Sequence, residues 1–595
     1  MQQKLLLLSL AAAGLLTYWL FEGRTSDAAQ ASPPVPAVQV CSSGAVAGSP
    51  MRLARAETAP FTLESIPQPS RDEDASLPPL FDGLGSLGMR VSTDSVEAQA
   101  YFNQGLRLAF AFNHAEARRA FQAAQHFDAD CGMCYWGEAL VLGPNINAPM
   151  FPDAIEPAYE AVSRAVELAD NAAAPVERAL IEALAERYAA DADADRDALD
   201  QAYAEAMREA AERFPEHDTL QTLYAESLMN LSPWDYWTDD GAQPKGHTEE
   251  LVAVLESVLA RDPEHPGAIH LYIHAVEASD APERALPYAE RLADLMPAAG
   301  HIVHMPSHIY YRVGMYREAL EANIDAVAAD ERYFQQSESD PVYRNGYYPH
   351  NLHFLLAAAE MGGDGETAIE AAEKLDAVLD TEFLREAPSL QPVKAATYLA
   401  HGRFSPPEQV LALPAPDKEF ALVVGLNHYV RAIAHARLED FSAAQSEIES
   451  LKTLRDTADL SAIEASGVPA TDVIETALRV AQARLADARG ELGEAASHYR
   501  EAVDIQDRLA YMEPPYWYYP VRQSLGSVLL RQGEHDEAGR VFSESLERVP
   551  GNGWVLYGQK RLYQAQGDAK RAESVAERFD EVWFGDADAL TLDRL

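Results

Sequence analysis

Ala285 and Ala319 stand 34 residues apart, and the helix-period stretches that follow them, residues 286–297 and 320–331, repeat at the same distance. A period of this length marks a chain built from small supersecondary units. None of them can bury its apolar face alone, so each must stack on its neighbour. Other windows, such as 115–127 and 318–328, place apolar residues at helical spacing, and no stretch alternates as a strand would. The chain is therefore read as all-α. Its 595 residues suffice for several domains or one extended array, and the period selects the array.

Tyr101, Gly105, Ala117, Phe121 and Ala124 carry the clearest unit, with small residues where two helices approach and large ones filling the gap. Gly314 and Tyr316 take equivalent places beside Ala319. Gly490, Ala495, Tyr499 and Ala502 repeat the pattern, and Gly526, Gly533, Ala538, Phe542 and Pro550 repeat it again. Over residues 92–585 the sequence resembles the tetratricopeptide-repeat (TPR) family, in an exported bacterial type. The resemblance implies a TPR-like α-solenoid, a right-handed superhelix of antiparallel helix pairs. In that family the concave groove binds a peptide, protein or small ligand. Pro-punctuated, poorly periodic stretches at 375–392 and 405–417 suggest a bend, so the expected arrays are 81–375 and 376–595.

Ahead of the array, Met1-Gln-Gln-Lys4 and an apolar run at 5–21 read as a signal peptide ending near residue 31, or as a membrane anchor. Residues 32–80 are rich in Ala, Ser and Pro and read as a disordered linker. Export follows, to the periplasm or the cell exterior. In an oxidising compartment Cys131 and Cys134 form a candidate disulfide, with Cys41 left over in the tail. The formal net charge is −47 and no segment gathers Lys and Arg into a stripe. Nucleic acid is excluded as a partner, since a phosphate backbone requires clustered positive charge.

Two irregular insertions interrupt the helices. Residues 143–152 are rich in Pro, Gly and Asn, and residues 231–246 carry Trp234, Tyr236 and Trp237 in a loop that reads either as a lid or as packing at a repeat junction. A third aromatic cluster, Tyr516-Trp-Tyr-Tyr519, is expected to pack the C-terminal units.

Of the 17 histidines, seven fall between residues 266 and 361: His270, His274, His301, His304, His308, His350 and His353. On the family's frame, the first helix of each unit turns its residues 2, 5, 9, 12 and 13 into the groove. That places all seven on groove positions, together with Glu277, Tyr311, Arg312 and Glu360. Pairs three or four residues apart share one helical face, so two imidazoles can chelate one metal ion while a neighbouring helix supplies a third. Glu277 or Glu360 would then be a ligand or would orient an imidazole. A transition metal, Zn, Cu or Fe, is the expected cofactor. With Tyr311 and Arg312 the same histidines suit an anionic ligand as well.

Pro306 bears on this frame. If the helix begins there, His301 and His304 sit on the preceding loop. No HExxH, GxSxG, Walker A or GxGxxG motif occurs, so no catalytic residue is assigned. Three readings stand: a binding protein that holds a metal or small ligand through the histidines, a metalloenzyme for hydrolysis or redox chemistry, and a plain peptide- or protein-binding scaffold.

Overall fold

In the first helix pair, polar side chains take up the free amides at each start. Ser95 accepts from Ala98 N at the head of Val96–Phe110, and Asn113 accepts from Glu116 N at the head of His114–Phe127. The three residues between the helices reverse the chain, with Phe112 at φ 54°. The computed structural model describes residues 77–238, 241–337 and 340–595. Among them the chain runs as consecutive helices joined by short connections, with two isolated bridges, Asn145 to Ala148 and Trp237 to Pro244, as its extended pairing. The fold is an all-α, TPR-like solenoid of helix pairs.

The small–large pattern of the sequence is the packing rule of these pairs. A Cβ on Gly105 would stand 2.7 Å from the Phe121 ring, and one on Gly137 2.3 Å from it. Phe121 therefore lies between glycines of two successive first helices, Val96–Phe110 and Gly132–Leu142, and is fully buried. The same device returns near the C-terminus. There Phe542 fills the space left by Gly526 and Gly558, which a Cβ would reduce to 2.4 and 2.6 Å. One buried phenylalanine thus ties three helices, at a cost to remove of about 3–5 kcal/mol.

The middle helices are Pro266–Val276, Gly300–His304, Pro306–Val313, Tyr316–Gln336 and Tyr348–Gly362, the last entered through a π-helical turn at Tyr343–Tyr347. Distant parts of the chain close over them. Val96–Phe110 touches Pro266–Val276, and Gly553–Ala565 touches Tyr348–Gly362. Tyr316 Oη donates to Pro550 O at 2.9 Å and Trp554 Nε1 to Glu360 O at 3.0 Å. Gly314, at φ 83°, allows the chain at Pro550 and Gly551 to lie against the end of Pro306–Val313, where a Cβ would meet Pro550 O at 2.4 Å.

Cys131 and Cys134 are disulfide-bonded at the start of Gly132–Leu142, with Cα atoms 5.4 Å apart. The expected signal or anchor at 1–31, Cys41 and nearly all of the expected linker lie outside the described residues. Among the described residues, no helix is long and apolar enough to cross a membrane.

Candidate metal centre

His270 and His274 stand one turn apart on Pro266–Val276, which is buried along its whole length. His301 and His304 are on Gly300–His304, and His308 is on Pro306–Val313. Pro306 does begin a helix, as its lack of an amide requires, but Met305 before it keeps helical angles (φ −52°, ψ −37°). A single residue, Met305, joins one short helix to the next, and His304 Nε2 still meets His308 Nε2 at 2.9 Å. His350 and His353 come from Tyr348–Gly362.

These helices gather six of the seven histidines into two adjoining triads, His270/His274/His301 and His304/His308/His350, in each of which the candidate ligand atoms lie within 4.8 Å of one another. Across the boundary, the rings of His274 and His308 are 5.4 Å apart and those of His301 and His304 5.8 Å. His270, His274, His301, His304 and His308 are at most 2 % exposed, and Glu277 is fully buried. A third group, Glu277, His308 and Glu513, adjoins the second triad on the other side of the His308 ring.

Four imidazoles are anchored through Nδ1. His270 Nδ1 lies 2.6 Å from Phe110 O, and His304 Nδ1 lies 2.7 Å from Asn323 Oδ1. His274 and His308 point their Nδ1 atoms at the two oxygens of Glu277, each at 2.7 Å. Asn323 donates through Nδ2 to Ala319 O, which leaves its oxygen for His304. A carbonyl, amide oxygen or carboxylate accepts here, so each imidazole donates from Nδ1 and, in its neutral form, has its lone pair on Nε2. The Nε2 atoms converge: His270 Nε2 is 3.1 Å from His301 Nε2 and His304 Nε2 is 2.9 Å from His308 Nε2, each pair close enough to share one proton. His274 Nε2 and His301 Nδ1 are buried without a hydrogen-bond partner.

Burial and mutual repulsion among the imidazoles hold His270, His301, His304 and His350 well below the usual histidine range. They are neutral, the form a metal requires. His308 is the exception. Burial lowers it, but the carboxylates of Glu277 and Glu513 outweigh burial and push it up to about 9. Two Nε2 lone pairs cannot face each other at 2.9 Å unassisted, and a proton on His308 is what bridges them when no metal does. Burial also raises Glu277, yet the imidazoles of His308 and His274 overcome it and keep this carboxyl well below the carboxylate range.

The remaining expected residues take other places. His353 is partly buried, belongs to neither triad and lines a cavity beside His350; burial lowers it to about 4. Tyr311 packs with Tyr316, Phe354, Ala357 and Met361. Arg312 donates to the carbonyls of Glu277 and Ser279, lies 4.8 Å over the Tyr511 ring and stands 3.9 Å from Glu513. Glu360 is buried in the wall of the cavity, its Oε1 without a partner. Burial pushes its carboxyl up to about 8, against the opposing charge of Arg403.

The expected open groove is covered at the histidines by the chain itself. Phe112 lies 4.4 Å from the His270 ring and Trp234 5.0 Å from His274, while Glu513 arrives from the C-terminal units. The loop at 231–246 thus packs on the centre, and Trp237 Nε1 donates to Ala275 O at 2.8 Å. Phe112, Asn323 and Glu513 were not visible as site residues in the sequence, because no spacing connects them to the histidines. Asp330 was missed likewise. Its carboxylate accepts from Tyr343 Oη and Asn351 Nδ2, both at 2.8 Å, while Tyr343 Oη accepts from His301 N. This pins the His301 helix to the His350 helix.

No family model matches the chain, and no curated protein matches it. Among solved structures it is similar to the Cut9–Hcn1 hetero-tetramer of the APC/C, at 12% identity and a TM-score of 0.27, over 86% of this chain and 77% of that one. It is similar also to human IFIT1 with PPP-AAAA (11% identity, TM-score 0.30, 82% and 92% coverage) and to yeast Tom70 (12% identity, TM-score 0.26, 82% and 92% coverage).

Proposed function

We propose that this protein is a metal-binding helical solenoid in which two neighbouring tri-imidazole positions hold transition-metal ions, Zn, Cu or Fe. One observation carries the reading: four buried imidazoles are each fixed through Nδ1 to an acceptor, so that their Nε2 atoms converge. This arrangement orients ligands for a metal and raises their basicity. The triads contain neither carboxylate nor thiolate, which favours nitrogen-preferring ions over Mg²⁺ or Ca²⁺. Glu277 supplies buried negative charge from behind His274 and His308, and the proton between His304 and His308 leaves as the metal enters.

Export, expected from residues 5–21, belongs to this proposal, since the metal would then be acquired outside the cytoplasm; cell fractionation tests it. Because the histidines are covered by the chain, a peptide or protein partner would use another face of the solenoid. Titrating metal-stripped protein with Co²⁺ or Cu²⁺, followed by ligand-field absorption, tests the metal reading. Two equivalents per chain are expected, falling to one in His304→Ala. Wild-type protein that takes up neither ion refutes it.

A further inference from the structure

The two triads differ in what surrounds them. The first is sealed. Phe112 stacks on the rings of His301 and His274 at 5.6 and 6.1 Å, Tyr347 meets His301 at 4.8 Å, and Trp234 sets its edge on His274. Phe112 and Trp234 hold φ at 54° and 65°; among the described residues, Glu439 is the one other residue besides glycine at positive φ. A bulky side chain in that region is strained, because its Cβ crowds the following carbonyl. The fold therefore places strained backbone at the lid of this triad and packs aromatic rings over it.

The second triad opens on one side. His350 is only partly buried, and with His353, Glu360 and Glu513 it lines a cavity of about 40 Å³ whose other walls combine apolar side chains, Val393 and Leu399 among them, with Tyr311, Tyr516 and Tyr518. One water needs about 10–15 Å³ of such space, so the cavity has room for about three water-sized atoms. Glu360, in the wall of this cavity and only 4 % exposed, has its Oε1 buried without a hydrogen-bond partner. Its carboxyl, neutral at pH 7 because burial raises it, can donate a hydrogen bond. Divalent ions on six neutral imidazoles leave excess positive charge in a buried place, which favours an anion beside them.

We infer that the two positions are unequal: the metal on His304, His308 and His350 keeps an open coordination position facing this cavity, which takes a compact anion of two or three heavy atoms, while the first position is closed to added ligands. This rests on the metal reading above. Glu360 is a positioning residue that holds the bound anion through its carboxyl hydrogen.

Azide added to the Cu²⁺-loaded full-length protein tests the inference, read by the ligand-to-metal charge-transfer band together with metal content. One azide per chain is expected to bind. Val393→Phe, which fills the cavity, should keep both metals and weaken azide at least ten-fold. Glu360→Leu, a second route should the first variant not fold, should weaken it about five-fold with metal content unchanged. Retained metal with no azide band, two azides per chain, or affinity unaltered in both variants overturns the inference alone. Protein without metal overturns the metal reading and the inference with it.

Discussion

Glu277 belongs to neither histidine triad, and its two oxygens accept from His274 and His308, one on each side of the boundary between them. That carboxylate decides which ring nitrogen carries the proton. Glu277→Gln keeps the shape but offers one oxygen and one NH₂. One imidazole then faces a donor, must turn its lone pair to Nδ1, and protonates Nε2. The expected result is an unchanged helical fold and a 10–100-fold loss of metal affinity, on the order seen for partners behind metal ligands. Competition with a chromophoric chelator measures it. Affinity equal to wild type would show that the tautomers are not set by Glu277. His270, by contrast, is anchored on a backbone carbonyl, Phe110 O, which no side-chain substitution removes.

At the scale of elements, the repeat explains why these residues meet. Phe121 locks its pair of helices to the next through Gly105 and Gly137, and the turn of that pair carries Phe110 and Phe112 onto His270. Phe121→Ala should destabilise the N-terminal units by about 3–5 kcal/mol, seen as an earlier urea transition, and should weaken the first metal position more than the second. Equal weakening of both would detach the aromatic cover from the repeat.

Much of this level was legible in the sequence. The small–large spacing around Phe121 and Phe542 named the helix pairs, and the histidine spacing placed six imidazoles on facing surfaces. Pro306 was the ambiguous position, since a proline lacks the amide hydrogen of a helix interior and disfavours helical angles in the residue before it, which Met305 nevertheless keeps. What stayed hidden was cover and support. Phe112, Trp234, Asn323 and Asp330 reach the histidines through tertiary contacts, and no local periodicity encodes contacts between residues that lie far apart in the chain. His353, which shares the helical face of His350, was assigned with the rest, yet it lies one turn beyond the point where the triad closes.

For the molecule as a whole, closure of the C-terminal helices onto the middle ones turns a repeat face into an interior. Glu513, Tyr511, Pro550 and Trp554 all come from the C-terminal part of the chain and lie against helices that carry histidines. Six imidazoles on an open groove would be hydrated; beneath this cover His270, His301, His304 and His350 are held neutral, four of the rings are anchored through Nδ1, and His274 Nε2 and His301 Nδ1 are left without a hydrogen-bond partner. That is a condition for binding metal tightly, and it is the claim on which the account depends. Anomalous diffraction from crystals of the Cu²⁺- or Zn²⁺-loaded protein tests it most directly. Two peaks are expected, each about 2.0–2.1 Å from an imidazole nitrogen of every histidine in one triad. A single peak on the Nδ1 side of His308, between Glu277 and Glu513, or no peak among the histidines, would contradict it.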